Sequence, residues 1–500
     1  MPSKNKPQKI NFLNLQVYRS ILQIKTAHKG VLLFINTLKF FTVGGKAKKT
    51  MQQTENKMGT APMLKLIISM SVPSMLSMFI QALYNIVDGI FVANYSHAGL
   101  EAVNLAYPMQ MLLISVGVGT GVGINSLVSR RLGAKKYDEA DSAATHGILL
   151  SVFSWIVFLI ISLTAVKPFV KMMGASGAVA QDSITYLSIV LTASFGMFVQ
   201  ISCEKVLQAT GNMIFPMLFQ LTGAVINIIF DPLLIFGIGI FPEMGVAGAA
   251  VATVGGQIIA MIFSACVLFF KKHDVRVTFK NFKFDISVIK EIYKVGFPSI
   301  IMQSIGSVLV SSLNAILMAL GSGTAVNVFG IYFKLQSFVF MPVFGLNQGL
   351  MPIMGYSYGA RNKTRLMQAV KFGIMIALCI MAVGVAVFMS VPQLLLKLFN
   401  PDAAMLVMGT AALRIISLCF LPAAVGIVVS TMFQAVGNGV YSLIISVLRQ
   451  LILVLPVAYI LSRAIGVTGV WWAFPIAETG GLAASILFLI HIYKTRVKGL

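Results

Sequence analysis

The sequence repeats itself. The string Gln-Ala-Thr-Gly-Asn at Gln208–Asn212 returns as Gln-Ala-Val-Gly-Asn at Gln434–Asn438, 226 positions on. Gly133-Ala134 and Gly359-Ala360 keep that offset, as do Gly147 and Gly373. Pro73-Ser74 and Pro298-Ser299 lie 225 apart, and Gly245-Val246-x-Gly248 matches Gly466-Val467-x-Gly469 at 221. Any one of these pairs is weak evidence. Collinear matches whose offset drifts slowly describe an internal duplication. A duplicated chain folds as two similar halves, and in a very apolar chain that arrangement points to a carrier with a central site between repeats.

Apolarity sets the class. Of 500 residues, 57% are hydrophobic and 11% charged, with a mean hydropathy of +0.88. A water-soluble domain of this length lacks the interior to hide that surface. The apolar runs extend over about 20 to 30 residues, enough to cross a hydrocarbon core of roughly 30 Å as helices. Barrel-type alternation is absent, so helices must satisfy the backbone in lipid. Twelve segments are predicted: 64–93, 102–130, 142–166, 180–208, 213–238, 245–270, 286–319, 323–357, 367–391, 404–434, 440–462 and 467–493. Six fall in each half, so the halves share one orientation and their pseudo-axis runs along the membrane normal. The expected fold is an all-α polytopic membrane protein with twelve transmembrane helices in two pseudo-symmetric six-helix lobes, residues 61–280 and 281–500.

The net charge of +23 sits in alternate loops: Arg130-Arg131 with Lys135-Lys136, Lys271-Lys272 through Lys283, Arg361 to Arg365, and the tail Lys494, Arg496, Lys498. The opposite loops carry Glu101, Asp182, Glu243 and Asp402. This is a positive-inside pattern in a cell membrane with both termini cytoplasmic, and it argues against nucleic acid as the partner. Residues 1–60 form a basic extension, with only Glu55 opposing its lysines and Arg19. Its apolar stretch Val31–Val43 is too short to span and is interrupted by Lys39. Three readings stand: a basic segment on anionic lipid, a disordered tail, or sequence upstream of a start at Met51 or Met58. The last two are favoured. Cys203, Cys266, Cys379 and Cys419 lack CxxC spacing, and the five histidines are scattered, so no resident metal or other cofactor is expected. A monomer in contact with membrane lipids is expected.

An ionisable group inside a span costs at least about 2.5–3.5 kcal/mol and is by default a functional candidate. Asp88 ends the series Gln81, Asn85, Asp88, spaced to share a helical face. Asp231 follows Asn227 by four residues, and Pro232 then removes a backbone donor and frees a carbonyl. Thr253 can add a hydroxyl. A shift of 226 maps Asp88 to Asn314, Glu204 to Ser430, Asn227 to Leu453 and Asp231 to Val457. If these acids only held the fold together, both copies would need them; a coupling-ion site confined to the first lobe explains the asymmetry. A carboxylate flanked by an amide and a hydroxyl can hold a proton or Na⁺, and burial disfavours its bare charge. Gln81, Asn85 and Glu204 are candidates for substrate or proton contact. Asp88 lies near the outer end of its helix and could be wetted there. Glu204 and Lys205 either snorkel to the basic surface or serve the cavity. Lys334, Arg414, Arg449 and Glu478 occupy the second half, where Glu478 could pair with one of the bases. The run Gly117-x-Gly119-x-Gly121-x-Gly123 suits close helix packing rather than a dinucleotide loop. With no Walker motif and no clustered catalytic constellation, neither ATP drive nor an enzyme is expected. The 28 Met and 35 Phe residues can supply an adaptable cavity wall.

Several of these motifs resemble the MATE (multidrug and toxin extrusion) family: Ser71-Val72-Pro73, Val87-Asp88, Ser129-Arg130-Arg131-Leu132-Gly133-Ala134-Lys135, and above all Asn227-Ile228-Ile229-Phe230-Asp231-Pro232-Leu233-Leu234-Ile235-Phe236-Gly237, followed by Gly245-Val246-Ala247-Gly248-Ala249-Ala250 and Thr253. The resemblance covers residues 60 to 495. It implies twelve helices in two lobes and export of organic, mostly cationic drugs in exchange for H⁺ or Na⁺ by alternating access. It also implies a cation site at Asp88, Asn227, Asp231 and Thr253, with Na⁺ held by the first three. Members that rely on acids in the seventh and tenth helices are not matched, since Asn314 and Arg414 stand there. The alternative is a lipid-linked oligosaccharide flippase of related fold, which predicts a cationic cavity fed by Lys334, Arg414 and Arg449.

Overall fold

The computed structural model describes residues 56–280, 282–399 and 401–500. The expectations for the basic extension therefore fall outside the described residues, except at Asn56–Thr60. Here Lys57–Thr60 forms a short helix, α1, with Met58 wholly buried. It is followed by α2 (Met63–Tyr95), α3 (His97–Gly133), α4 (Tyr137–Thr164), α5 (Val166–Met172), α6 (Gly177–Thr192), α7 (Phe195–Ala209), α8 (Ile214–Ile235) and α9 (Val246–Phe270). The second half contributes α10 (Ile286–Ala319), α11 (Gly323–Gly359), α12 (Lys363–Ser390), α13 (Pro392–Lys397), α14 (Ala403–Ser417), α15 (Phe420–Ala435), α16 (Gly439–Val447), a π-turn at Leu448–Leu453, α17 (Val454–Ile465) and α18 (Val467–Ile492).

Among the described residues, ten helices are long and apolar enough to cross a membrane, counting α16 through α17 as one, and two bent pairs complete the expected twelve. The bent pairs correct the reading of 180–208 and 404–434 as single helices. α6 meets α7 at 44° and α14 meets α15 at 45°. Gly196 lies in the first turn of α7, and Pro422, in the first turn of α15, has no N–H to give the Leu418 carbonyl at the second break. At each break a serine hydroxyl donates back to the preceding turn, Ser194 Oγ to Leu191 O at 2.7 Å and Ser417 Oγ to Arg414 O at 2.9 Å. Such local bonds compete with the helical ladder and bend it.

The duplication is visible in the backbone. Gly211 and Gly437, the glycines of the repeated pentapeptide, both turn the chain at positive φ, 86° and 85°. Lys135 and Arg361, 226 apart and each following a Gly-Ala pair, both adopt positive φ as well.

The halves meet mainly through α2 and α3 of the first and α10 and α11 of the second, and the close glycine contacts between them come in mirror pairs. A Cβ on Gly119 would lie 2.7 Å from Ile300 N, and one on Gly345 would lie 2.6 Å from Met75 N. Gly123 packs on Gly296, and its counterpart Gly349 packs on Ser71. Gly133 lies under the carbonyl of Tyr356, while Gly359 lies under that of Arg130, too close in both cases for any side chain. Each residue touches the repeat-mate of its own counterpart's partner, as a two-fold axis between the halves requires. The paired glycine spacing serves two faces of α3, since Gly117 and Gly121 pack instead on Ile201 and Lys205 of α7.

Ion pairing reinforces this seam where the basic loops gather. Arg131 bridges Glu291 of α10 at 2.9 Å and Glu139 at 3.0 Å. Arg130 donates to Ser126 and to the Ala435 carbonyl, and Arg365 donates to Met58 O and Ala61 O at 2.7 and 2.6 Å.

Gly133→Ala or Gly359→Ala is expected to weaken the seam by about 1–3 kcal/mol, the usual cost of overpacking. In a background lacking the four native cysteines, a cysteine at the fully buried Ser129 should then become reactive to a membrane-impermeant maleimide. Labelling that stays at the parent level would show that the crossing relaxes without opening.

Candidate functional site: a cavity between two unlike walls

Beyond the seam, the same four helices part around a cavity of about 1070 Å³. Its lining is Met78–Tyr84 on α2, Tyr107–Val118 on α3, Met302–Ser311 on α10 and Tyr332–Gln348 on α11, overlapping the glycine contacts only around Gly345. Gly306, on the cavity stretch of α10, has open space where a Cβ would be. The cavity is thus closed at the basic end of the bundle. Met111, Met197, Phe333 and Phe340 give its surface apolar area, and between them glutamines recur, among them Gln81, Gln200, Gln303 and Gln336.

Behind the first-half wall, α2 and α8 bring two acids together. The carboxyls of Asp88 and Asp231 face each other within hydrogen-bonding reach. Asn227 Nδ2 donates to Asp231 Oδ1 and to Thr253 Oγ1, both at 3.2 Å. That leaves three buried oxygens with no hydrogen-bond partner: Asp88 Oδ1, Asp231 Oδ2 and Asn227 Oδ1. Unpaired buried acceptors cost about 1–3 kcal/mol each, and two facing carboxylates repel unless a proton or cation lies between them. The donor set is all oxygen, which suits H⁺ or a hard cation such as Na⁺. Among the described residues, no group of three or more His, Cys, Asp and Glu side chains could hold a metal ion. Asn227 and Thr253 reach the cavity surface, while the two acids sit behind it.

The other predicted residues divide. Gln81 lines the cavity. Asn85 does not; it is exposed. The inward stripe of α2 advances in steps of three, Met78, Gln81, Tyr84, so a residue four beyond Gln81 turns off it. Glu204 and Lys205 do not snorkel: both are almost wholly buried, 3.6 Å apart, and line the cavity. Gln208 and Gln220 donate to Glu204 at 2.8 and 3.1 Å, while Lys205 donates to Gln208 and to Gln348 of α11 at 2.9 and 3.2 Å. This network joins the halves. Its amides went unread in the sequence, although Gln208 opens the repeated pentapeptide and was the available signal.

The second-half wall differs. Lys334 and Arg414 are exposed and lie off the cavity, Lys334 over the Phe399 ring and Arg414 on the Met389 carbonyl. Arg449 alone of the three bases lines it, paired to Glu478 at 3.1 Å.

A family model matches residues 73–233 and 298–460, that of MatE, once in each repeat. The chain belongs to the MATE family. It is a multi-pass membrane transporter and not an enzyme. Relatives include the multidrug export protein MepA of Staphylococcus saprophyticus, 27% identical over 85% of this chain and 93% of the relative. MepA of Staphylococcus aureus is 28% identical over 87% and 95%. Among solved MATE structures, an outward-facing multidrug resistance transporter of the MOP superfamily superposes with a TM-score of 0.85 at 29% identity, covering 90% of this chain and all of that one. A Pyrococcus furiosus MOP transporter, described as having reversed pocket polarity that suggests a different function, superposes at 0.83 with 28% identity, covering 89% and 100%.

Removing the charge of Glu204 alone would strand a buried ammonium. Glu204→Gln is therefore expected to destabilise the protein by about 3–5 kcal/mol, and Glu204→Gln with Lys205→Met to recover most of that loss. Thermal unfolding of the purified variants tests it; equal melting temperatures for single and double variants would show that the pair is not coupled.

Proposed function

We propose that this transporter is a multidrug efflux antiporter that exports organic, mostly cationic compounds in exchange for H⁺ or Na⁺. The observation that carries the reading is the facing pair Asp88 and Asp231, with unpartnered buried oxygens, directly behind a large apolar cavity wall. Asn227 and Thr253 complete the site, and Gln81 and Glu204 offer polar contacts to cargo or proton. Asn85 has no place in it. An ion that bridges α2 to α8 binds one arrangement of those helices better than another, and only such differential binding can drive a conformational exchange. Residues 61–280 and 281–500 act as the two rocking lobes. The positive-inside rule puts the basic loops and both ends of the transmembrane region in the cytoplasm of a cell membrane, so the cavity faces outward here.

The kinship with multidrug exporters supports this reading. The flippase alternative needs a cationic cavity. It is disfavoured because Lys334 and Arg414 point elsewhere and Arg449 is already paired.

Ethidium efflux from energised cells tests the proposal, comparing wild type with Asp231→Asn and Asp88→Asn at matched expression. Both variants should lose most coupled efflux, on the order of 10-fold or more, because each removes one carboxylate of the site. Uncoupler or Na⁺ replacement should abolish wild-type efflux and so name the ion. Unchanged efflux in Asp231→Asn would remove that residue from the mechanism.

A further inference from the structure

A second cavity, of about 510 Å³, opens at the basic end of the bundle, where Gly133 and Gly359 cross. It shares no lining residue with the cavity between the halves. Arg130 and Arg131 reach it from the end of α3 and Glu291 from α10. Tyr358 lines it from the end of α11, Arg361 from the turn that follows, and Arg496 from the segment after α18. Both halves therefore build it, and the export reading makes no use of it.

Four arginines meet one side-chain carboxylate there, and that carboxylate is already taken. Both Glu291 oxygens accept from Arg131 Nη2, at 2.9 and 3.0 Å, and Arg131 Nη1 bridges Glu139 at 3.0 Å. Arg131 is thus neutralised twice over. Arg130 gives Nη1 to the Ser126 hydroxyl and the Ala435 carbonyl, both uncharged. Arg361 and Arg496 are exposed, and among the described residues neither side chain forms an ion pair or a hydrogen bond. Three guanidinium groups that share a pocket without a carboxylate of their own repel one another unless an anion lies between them.

The fold does not demand this charge. At an offset of 226, Arg130 and Arg131 correspond to Tyr356 and Ser357. On that side of the pseudo-two-fold axis the chain fills the space itself: a Cβ on Gly59 of α1 would lie 3.3 Å from the Tyr356 ring, and Met58 packs against Gly211. At Gly437, the repeat-mate of Gly211, the Arg130 guanidinium takes the place that Met58 takes at Gly211. One of two related recesses is plugged by an apolar turn, and the other is left open and basic. A guanidinium donates in a planar fork that matches phosphate oxygens, so clustered arginines suit a phosphate better than lysines would. We propose that this pocket binds a phosphate group, carried by an anionic phospholipid or free in solution, held by Arg361 and Arg496 opposite Arg130. The occupant bridges the two halves at the closed end. The site is independent of the cargo and of the coupling ion.

Arg361→Gln with Arg496→Gln removes two charges from the pocket without breaking a described side-chain contact. Lys280→Gln with Lys283→Gln removes the same charge from the exposed loop before α10 and serves as the control. Two arms separate the sources of phosphate, both with purified full-length protein in uncharged detergent. Native mass spectrometry counts the lipid retained from an equal mixture of phosphatidylglycerol and phosphatidylcholine. Equilibrium binding of radiolabelled inorganic phosphate, without lipid, reads the soluble source. In at least one arm wild type and control should bind alike, with phosphatidylglycerol preferred in the lipid arm. The pocket variant should bind about 10-fold or more weakly, the scale of a lost charge-assisted hydrogen bond. Loss in the lipid arm alone names the headgroup, and loss in the phosphate arm shows that the phosphate group suffices. Equal binding by all three proteins in both arms, binding by none, or a loss in the control as large as in the pocket variant overturns the site.

Discussion

Everything else in this structure hangs on a set of glycines that let two halves of one chain touch backbone to backbone. Gly119, Gly123 and Gly133 on α3 and Gly345, Gly349 and Gly359 on α11 occupy equivalent places in the two repeats, and each meets the other half where no side chain would fit. In lipid, helices gain little from hydrophobic burial, so close van der Waals approach between small residues supplies the association. The contacts crowd at one end of the bundle, which is why the other end can part around a cavity. A symmetric seam at one end is also a geometry from which two similar halves can rock.

On that symmetric frame the chemistry is one-sided. The first half places Asp88 against Asp231; at the equivalent positions the second half has Asn314 and Val457. The second half places Arg449 against Glu478, where the first has Gly223 and Gln257. Duplication supplied the scaffold twice, and each copy was then free to lose or gain charge, because neither pair is needed to hold the helices together. The result is a cavity with an acid-backed wall facing a wall that carries a guanidinium.

The acid pair and the seam share a helix. α2 packs against α11 through Ser71 and Met75, and a few turns later carries Asp88 to Asp231 on α8. Between them, the network of Glu204, Lys205, Gln208 and Gln348 ties α7 to α11 across the closed end of the cavity. Separating the halves at that end must break this network along with the Arg131–Glu291 bridge. These are polar contacts that water can replace, unlike the apolar packing within each half.

The sequence by itself determined the class, the twelve spans and the duplication, because hydropathy and repeat offsets are local properties that lipid makes costly to violate. Asp88 and Asp231 stood out as candidates because charges within spans are rare, and the structure brings them together with Asn227 and Thr253. Only the tertiary structure decided which way each remaining polar group faces. Asn85 lies one step off the inward stripe of α2, Glu204 is buried in an amide network rather than drawn to the surface, and Arg449, rather than Lys334 or Arg414, is the base that meets Glu478. The bends between α6 and α7 and between α14 and α15, and the π-turn under Arg449, were equally unannounced. Helix rotation, bending and pairing across elements depend on what packs beside each turn, and a one-dimensional pattern with a period near 3.6 residues does not carry that information.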